Sequence, residues 1–142
     1  MGDTPHVIAM QQLGRTYRAM MTAFEASIGY SMPRWRILLT LYQFGETSQK
    51  QLACMLRVDP AALTRQIKAI ELEGLVERHA DAADNRLTNV ALTDAGRGRV
   101  EDTLPLRTAF IERAFGDFSA EQTQTLTDML HTLELRMREP LT

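Results

Sequence analysis

The chain has 142 residues, 44% hydrophobic and 24% charged, a composition typical of an ordinary globular domain. No apolar run approaches the roughly 18 residues that cross a bilayer, and no signal-peptide pattern stands at the N-terminus. A single cysteine excludes an internal disulfide framework, so we expect one cytoplasmic domain over residues 1–142, with no membrane partner. The net charge of −2 does not favour nucleic-acid binding, which nevertheless needs only local positive charge.

The first predicted helix covers residues 6–28, where apolar side chains recur at helical spacing. They form more than a single stripe: Val7, Ile8, Met10, Leu13, Tyr17, Met20, Met21, Phe24 and Ile28. A helix with so wide an apolar surface needs partners on two sides. We expect these to be the rest of the domain and a second subunit.

Three further helices are predicted before residue 75. Pro33 opens the second, which ends at Gly45. The third runs from Gln49 to Arg57 behind a Thr47-Ser48 cap, and its inward side chains are predicted to be Leu52, Ala53, Met55 and Leu56. Asp59 and Pro60 begin the fourth, and Gly74 ends it. Two short helices joined by a tight turn predict a helix-turn-helix, in which the fourth helix is the recognition helix.

The recognition helix has two different sides. Leu63, Ile67 and Ile70 predict a face toward a core. The other residues are small, hydroxyl-bearing or basic: Ala61, Ala62, Thr64, Arg65 and Lys68. Adjacent alanines favour close approach to DNA bases over a merely solvated face. Ser48 and Gln49 are candidate phosphate contacts, because helix N-termini present free N–H groups.

A β-hairpin is predicted after the recognition helix. Leu75 and Val76 begin one strand, Val90 to Leu92 form the second, and a polar loop joins them. Arg86 in this loop is a candidate for insertion into the minor groove. Asp84, two residues earlier, can form an ion pair with Arg86. This pair can orient Arg86 toward DNA, and it can tie the hairpin together; the two roles are compatible.

Two helices complete the chain. Thr93 is the predicted cap of the fifth, which runs to about Gly116 with Pro105 inside it. The sixth follows a capping box of Ser119 and Gln122, and its apolar stripe is Leu126, Met129, Leu130, Leu133 and Met137. We expect the terminal helices, residues 6–28 and 94–138, to pair across a two-fold axis, leaving residues 33–93 as the DNA-binding lobe. Such a homodimer places two recognition helices ~34–36 Å apart and predicts an inverted-repeat operator on double-stranded DNA.

The hairpin resembles the wing signature D-x-R-x-x-x-V-x-L-T-x-x-G of the MarR family of winged-helix regulators. Its matched residues are Asp84, Arg86, Val90, Leu92, Thr93 and Gly96. The resemblance implies a fold that is mainly α with a small β-hairpin, made of a winged helix-turn-helix lobe and N- and C-terminal dimerisation helices. It also implies a homodimer on pseudo-palindromic operators, often released by a small molecule, and we expect a repressor.

The same resemblance suggests a ligand site between the first two helices. Its candidate residues are Arg15, Tyr17, Arg18, Trp35 and Arg36. Trp35 would form an aromatic wall and an arginine would hold the carboxylate of a small aromatic acid. The alternative is that Trp35 is ordinary core and the arginines are surface or dimer ion pairs.

Other chemistry has little support in the sequence. Cys54 is interpreted as a buried packing residue rather than a redox sensor, since no neighbour would activate its thiol. His6, His79 and His131 are too scattered for a metal site, no cofactor is implied, and no catalytic motif is present. Besides the redox-sensing regulator, the alternatives are a protein–protein adaptor that does not bind DNA, and a small-molecule carrier or enzyme that uses the interhelical cleft.

Overall fold

The computed structural model describes residues 2–139, so the first residue and the last three of the predicted domain lie outside it. Six helices and three short strands follow one another: α1 Pro5–Ile28, α2 Met32–Phe44, β1 Thr47–Ser48, α3 Gln49–Leu56, α4 Pro60–Leu72, β2 Val76–Ala80, β3 Thr88–Leu92, α5 Asp94–Phe115 and α6 Ala120–Arg138. The mainly helical winged-helix fold predicted above is confirmed. No described helix is long and apolar enough to span a bilayer.

Local capping chemistry sets most helix boundaries. The side chains of Thr4, Ser48, Asp59 and Ser119 each accept a hydrogen bond from a backbone N–H in the first turn of the helix that follows. Ser119 and Gln122 form the predicted reciprocal capping box. Each cap satisfies N–H groups that the helix itself leaves unpaired, so the boundaries follow from short sequence signals.

The sheet has three strands in the order β1-β3-β2, all antiparallel. The β2–β3 hairpin pairs Val76 with Leu92 and Ala80 with Thr88, as a wing should. The third strand, β1, pairs Thr47 with Val90 and was not predicted. Two residues are too few to show the alternation by which strands are recognised.

The chain divides into two compact units, the first ending at Phe110 and the second beginning at Ile111. The core of the first unit includes residues with no exposed surface from α2, α3, α4, β3 and α5: Leu38, Leu52, Ile67, Ile70, Val90 and Val100. Within the same unit, the Phe24 and Phe110 rings meet edge to face with centroids 5.6 Å apart. These contacts hold the helix-turn-helix and the wing on one core.

The second unit consists of the end of α5 and α6, and no α6 residue that the structure describes is buried. The predicted stripe of α6 is largely exposed, as Met129 (56%) and Leu133 (39%) show. In the first unit, Val7, Ile8 and Met10 of α1 are likewise exposed. Both terminal helices therefore carry uncovered apolar surface of the kind that marks an interaction site.

Two predictions for α3 are wrong. Cys54 is exposed rather than buried, and Met55 is 37% exposed rather than directed inward. Leu52, Ala53 and Leu56 are the buried residues of this helix. At about 100° per residue, a short helix with these three on its inner side turns Cys54 and Met55 outward.

Candidate nucleic-acid interface

The recognition helix α4 is amphipathic and has a basic outer side. The Asp59 carboxylate accepts a hydrogen bond from the Ala62 N–H at 3.0 Å, which fixes the start of the helix. Leu63, Ile67 and Ile70 are buried, as predicted. Ala61, Arg65 and Lys68 are exposed on the opposite side. Two cations beside a small residue form a surface that can approach the edges of bases.

Thr64 and Gln49 join the two helices of the helix-turn-helix. The Gln49 side-chain amide donates to Thr64 Oγ1 at 3.1 Å, and the Thr64 hydroxyl donates to the Pro60 carbonyl at 3.0 Å. Ser48 accepts a hydrogen bond from the Gln51 N–H and thereby caps α3. All three polar side chains therefore have a structural role, and their contacts with DNA remain predictions.

Ala62 lies apart from the exposed face to which it was assigned. Its side chain is half-buried and lines an apolar cavity together with Leu63 and Gln66. A position one residue after Ala61 is turned by about 100° around the helix, which carries it to the flank. We therefore correct the placement of Ala62.

The wing turn is held by an aspartate that sequence reasoning missed. Asp81 Oδ1 accepts hydrogen bonds from the N–H groups of Ala83 (2.8 Å) and Asp84 (3.0 Å). Its other oxygen accepts one from the Asn89 side chain at 2.9 Å. These bonds hold the pKa of Asp81 below its ordinary value, the Asn89 bond contributing most. An aspartate at the start of a polar turn was the available signal.

Arg86 extends from this turn into solvent, its side chain being 90% exposed. Its Nε and Nη2 donate to the two Asp84 carboxylate oxygens, each at 3.0 Å. The Arg86 N–H also donates to Asp84 Oδ1 at 3.0 Å. The ion pair proposed from the sequence is therefore present, and it directs the guanidinium without covering it.

Asp84 should titrate below the ordinary range of an aspartate. The hydrogen bonds from the Arg86 side chain and N–H are the largest causes of its lowered pKa. The folded-state pKa is depressed, so the ion pair is intact above the ordinary aspartate pKa and is lost as the pH falls through the folded value. We expect Arg86→Ala to raise the pKa of Asp84, measured by NMR titration of the side-chain carboxyl carbons, while the pKa of Asp81 stays lowered. An unchanged Asp84 midpoint would contradict the pairing.

Thr93 joins the end of α4, the base of the wing and the start of α5. Its hydroxyl donates to the Gly74 carbonyl at 2.6 Å and accepts from the Gly96 N–H at 3.0 Å. Its own N–H donates to the Leu75 carbonyl at 3.1 Å. Gly74 has a φ of +76°, which glycine adopts at little cost. The leucine-threonine-x-x-glycine part of the motif thus fixes the wing relative to the recognition helix.

Two acidic residues near the end of the recognition helix, Glu71 and Glu73, form ion pairs. Glu71 accepts from Arg78 at 3.0 Å, and hydrogen bonding to Arg78 lowers the pKa of Glu71. Glu73 accepts from Arg34, also at 3.0 Å. Both carboxylates are therefore neutralised by framework arginines, and Arg65, Lys68 and Arg86 project from the exposed surface.

The predicted ligand residues are only partly brought together. A cavity of about 270 Å³ lies between α1, α2 and α4, and Tyr17, Met32, Arg36, Leu56, Ala62 and Gln66 are among the residues that line it. Arg36 Nη2 donates to the Leu56 carbonyl at 3.2 Å. Trp35 is 2% exposed and belongs to the core, so we correct its assignment as an aromatic wall. Arg15 and Arg18 are exposed on α1 and do not line this cavity.

The described residues form no cluster of three or more histidine, cysteine, aspartate or glutamate side chains that could hold a metal ion. Because Cys54 is exposed, it is not the buried packing residue that the sequence predicted. Exposure alone does not make a thiol reactive, since a neighbouring group must also favour the thiolate. The features that the structure assembles are a helix-turn-helix with an exposed basic side and a wing with a directed arginine. Together they define the class of winged-helix DNA-binding proteins.

Comparison with known proteins gives the family. The model described as MarR family matches residues 30–88. The uncharacterized HTH-type transcriptional regulator YdgJ of Bacillus subtilis (strain 168) is 36% identical over 85% of this chain and 74% of its own length. The HTH-type transcriptional repressor IacR of Pseudomonas putida is 27% identical over 83% of this chain and 73% of its own. The protein belongs to the MarR family and is a DNA-binding transcriptional regulator rather than an enzyme.

A solved structure shares the fold. A cysteine-to-serine mutant of MarR from E. coli, crystallised with operator DNA, superposes with a TM-score of 0.83 at 20% identity. The match covers 93% of this chain and 99% of that one. At this identity the likeness establishes the fold and leaves the individual DNA contacts of this chain to experiment.

Proposed function

We propose that the protein is a homodimeric repressor that binds an inverted-repeat operator and is released by a small aromatic acid. The observation that best supports the proposal is the arrangement of exposed cations on the recognition helix and the wing. Arg65 and Lys68 project from one side of the recognition helix, and Asp84 directs the exposed Arg86 from the wing. A helix suits the major groove, and a directed arginine suits the narrow minor groove beside it.

Dimerisation is supported by the uncovered apolar surfaces of α1 and α6, each described within its own unit. Val7, Ile8 and Met10 are exposed on the first, and Met129 and Leu133 on the second. Single exposed apolar residues are common, but contiguous ones along a helix mark an interface. A two-fold pair would present two recognition helices to successive major grooves, which is the reason to expect an inverted repeat. Repression is proposed because the related IacR is named a repressor.

The test is fluorescence anisotropy of labelled DNA from upstream of the protein's own gene, titrated at several salt concentrations. We expect one dimer per operator, with a mass of two chains in light scattering. The logarithm of the affinity should fall steeply and linearly with the logarithm of the salt concentration, because bound phosphates release counterions. A monomer at micromolar concentration would overturn the dimer. Failure to bind DNA at low salt would favour the adaptor alternative.

The aromatic acid is proposed for the cavity between α1, α2 and α4. Apolar side chains from four helices line it, while the Tyr17 ring and the Arg36 guanidinium add the aromatic and cationic groups that such a ligand requires. Leu63 and Gln66 of the recognition helix form part of its wall. A ligand that fits only one position of this wall would shift the population of recognition-helix positions and so lower the affinity for DNA.

Salicylate and benzoate should release the DNA in the same anisotropy assay. Arg36→Gln should weaken this effect by about tenfold or more, because a charged hydrogen bond contributes about 1.5–3 kcal/mol. Arg15→Gln is the matched control, since Arg15 is an arginine outside the cavity. If neither acid releases DNA, or if Arg15→Gln has the larger effect, the ligand assignment fails while the DNA-binding proposal stands.

A further inference from the structure

Arg34, in the first turn of α2, joins that helix to the recognition helix at two points. Its Nε donates to Gln66 Oε1 at 2.9 Å, and its Nη1 donates to Glu73 Oε1 at 3.0 Å. Gln66 lies within α4, and Glu73 is the cap residue at its C-terminal end. The two acceptors are 32 and 39 positions from Arg34 in the sequence, so only the fold brings them together. We call these three side chains the Arg34 bridge.

The bridge holds a long stretch of the recognition helix. Gln66 and Glu73 are about two helical turns apart, which places them on the same side of the helix and about 10 Å apart along its axis. A guanidinium presents its N–H groups in one rigid plane. Arg34 can therefore satisfy both acceptors only over a narrow range of positions of α4 against α2.

Glu73 has a second attachment, in the turn between α1 and α2. Tyr30 is 6% exposed, and Glu73 accepts a hydrogen bond from its hydroxyl. Burial first, and then the charge of Glu73, raise the pKa of Tyr30 to about 12, so the hydroxyl remains a donor at physiological pH. The Arg99 guanidinium lies 5.2 Å from the centroid of the Tyr30 ring. The Arg34 bridge, Tyr30 and Arg99 line one polar cleft of about 610 Å³.

The bridge differs in kind from the apolar contacts of the recognition helix. Leu63, Ile67 and Ile70 are buried in the core, and hydrophobic contacts are non-directional. They hold the helix on the core but resist a small rotation or slide only weakly. Hydrogen bonds weaken steeply when their angles change, so the bridge resists such movements. The Arg34 and Glu73 side chains are each 36% exposed, and an ion pair at this exposure contributes little to stability.

The bridge adjoins the residues that face DNA. Arg65 directly precedes Gln66, and Lys68 follows it by two positions. Both cations are on the exposed side of the helix, whereas Gln66 is half-buried on its flank. A rotation of the helix about its axis therefore moves Arg65 and Lys68 together with the bridge. We infer that the Arg34 bridge positions the recognition helix on its operator, an inference that rests on the operator binding proposed above.

Gln66 also connects the bridge to the apolar cavity, because it lines that cavity beside Ala62 and Leu63. An arginine can only donate, so the amide oxygen of Gln66 faces Arg34 and the amide N–H groups are directed elsewhere. An occupant of the cavity that displaces the Gln66 side chain breaks its bond to Arg34. The bridge is then the route by which the cavity changes the position of the recognition helix.

The experiment compares two substitutions that break the bridge but change the net charge in opposite directions. Arg34→Ala removes a positive charge, and Glu73→Ala removes a negative one. Both should weaken operator binding in the anisotropy assay, by roughly 2- to 30-fold, which is the range for residues that act without touching the ligand. Charge alone would make Glu73→Ala bind more tightly, because DNA is an anion. Unchanged or tighter binding by Glu73→Ala would overturn the inference.

Non-operator DNA of the same length separates positioning from direct contact. Such DNA is bound through its phosphates, so both variants should bind it with native affinity and with the native dependence on salt. An equal loss on both DNAs, with a shallower salt dependence for Arg34→Ala, would show that Arg34 contacts phosphate itself and would overturn the positioning role. Glu77→Ala is the matched control, since Glu77 is an exposed glutamate of β2 outside the bridge. It should not weaken operator binding.

Gln66→Met tests the link to the cavity, since it removes the amide without changing the charge. Operator binding should weaken in the same range. At saturating salicylate, the ratio of operator affinities without and with the acid should fall toward one, compared with the native protein. Undiminished release would overturn the link. If salicylate does not release DNA from the native protein, the aromatic acid is overturned instead, and the operator affinities of the bridge variants still decide the positioning role.

Discussion

Replacing Arg86 with alanine should weaken operator binding by roughly 10- to 100-fold, which corresponds to about 1–3 kcal/mol for a specific arginine contact. The side chain is 90% exposed, so its loss should remove the proposed DNA contact with little effect on packing. Asp84 already accepts hydrogen bonds from two of the three guanidinium nitrogens, Nε and Nη2, so the arginine is oriented before DNA arrives. Less side-chain entropy is then lost on binding than for a freely rotating arginine. Anisotropy with the operator fragment measures the change directly.

Three further variants separate orientation from charge. Arg86→Lys keeps the charge but cannot bind a carboxylate bidentately, so we expect an intermediate loss of affinity. Asp84→Asn should also weaken binding, by less than Arg86→Ala, because it loosens the arginine without removing it. Arg97→Gln, which lies on α5 beside Tyr42, serves as the control for removing one positive charge. Wild-type affinity in Arg86→Ala would exclude the wing as a DNA contact.

Gly96→Ala should destabilise the protein by about 3 kcal/mol, at the upper end of the usual cost of overpacking. A Cβ atom at this position would lie 2.0 Å from the Leu75 carbonyl oxygen and 3.0 Å from Leu92 Cδ2. The obstructing atom belongs to the backbone, so either the start of α5 or the base of the wing must move. That movement would also break the hydrogen bond from the Gly96 N–H to Thr93. Thermal unfolding followed by circular dichroism, at a fixed protein concentration, should show the loss.

Gly98→Ala is the control for this experiment, because it makes the same substitution in the same helix. A Cβ atom at Gly98 would have no neighbour within 4 Å. Replacing a helical glycine with alanine should therefore stabilise the protein by up to about 1 kcal/mol. The opposite signs expected for the two variants distinguish close packing at Gly96 from helix propensity. A Gly96→Ala variant as stable as the native chain would disprove the tight junction.

The helix boundaries were predictable because their signals are local. Asp59 and Pro60 mark the start of the recognition helix, and the predicted capping box of Ser119 and Gln122 is present. Each such signal involves residues no more than three positions apart, so it acts in any surrounding structure. The wing motif extends this to a longer stretch, since its spacing identifies both the hairpin and the family.

Other features of the interface could not be predicted because they join distant parts of the chain. The position of Asp81 at the start of a polar turn was a local signal, but its bond to Asn89 at 2.9 Å forms only when the turn folds back. The pairing of Glu73 with Arg34 spans 39 positions. A charge count from the sequence sets Glu71 and Glu73 against DNA binding, whereas in the structure Arg78 and Arg34 neutralise them.

The amino-acid sequence by itself determined the order and ends of the helices, the wing hairpin and the family, because caps, helical periodicity and motif spacing act over short distances. Tertiary structure alone decided which elements cover each helix face and which residues at the edge of a face are buried. It buried Trp35 in the core, turned Cys54 outward and moved Ala62 to a cavity wall. It also formed the polar cleft around Tyr30 from segments that are far apart in sequence. The physical reason is that burial depends on which elements pack together, and an amphipathic pattern specifies a face without specifying its partner.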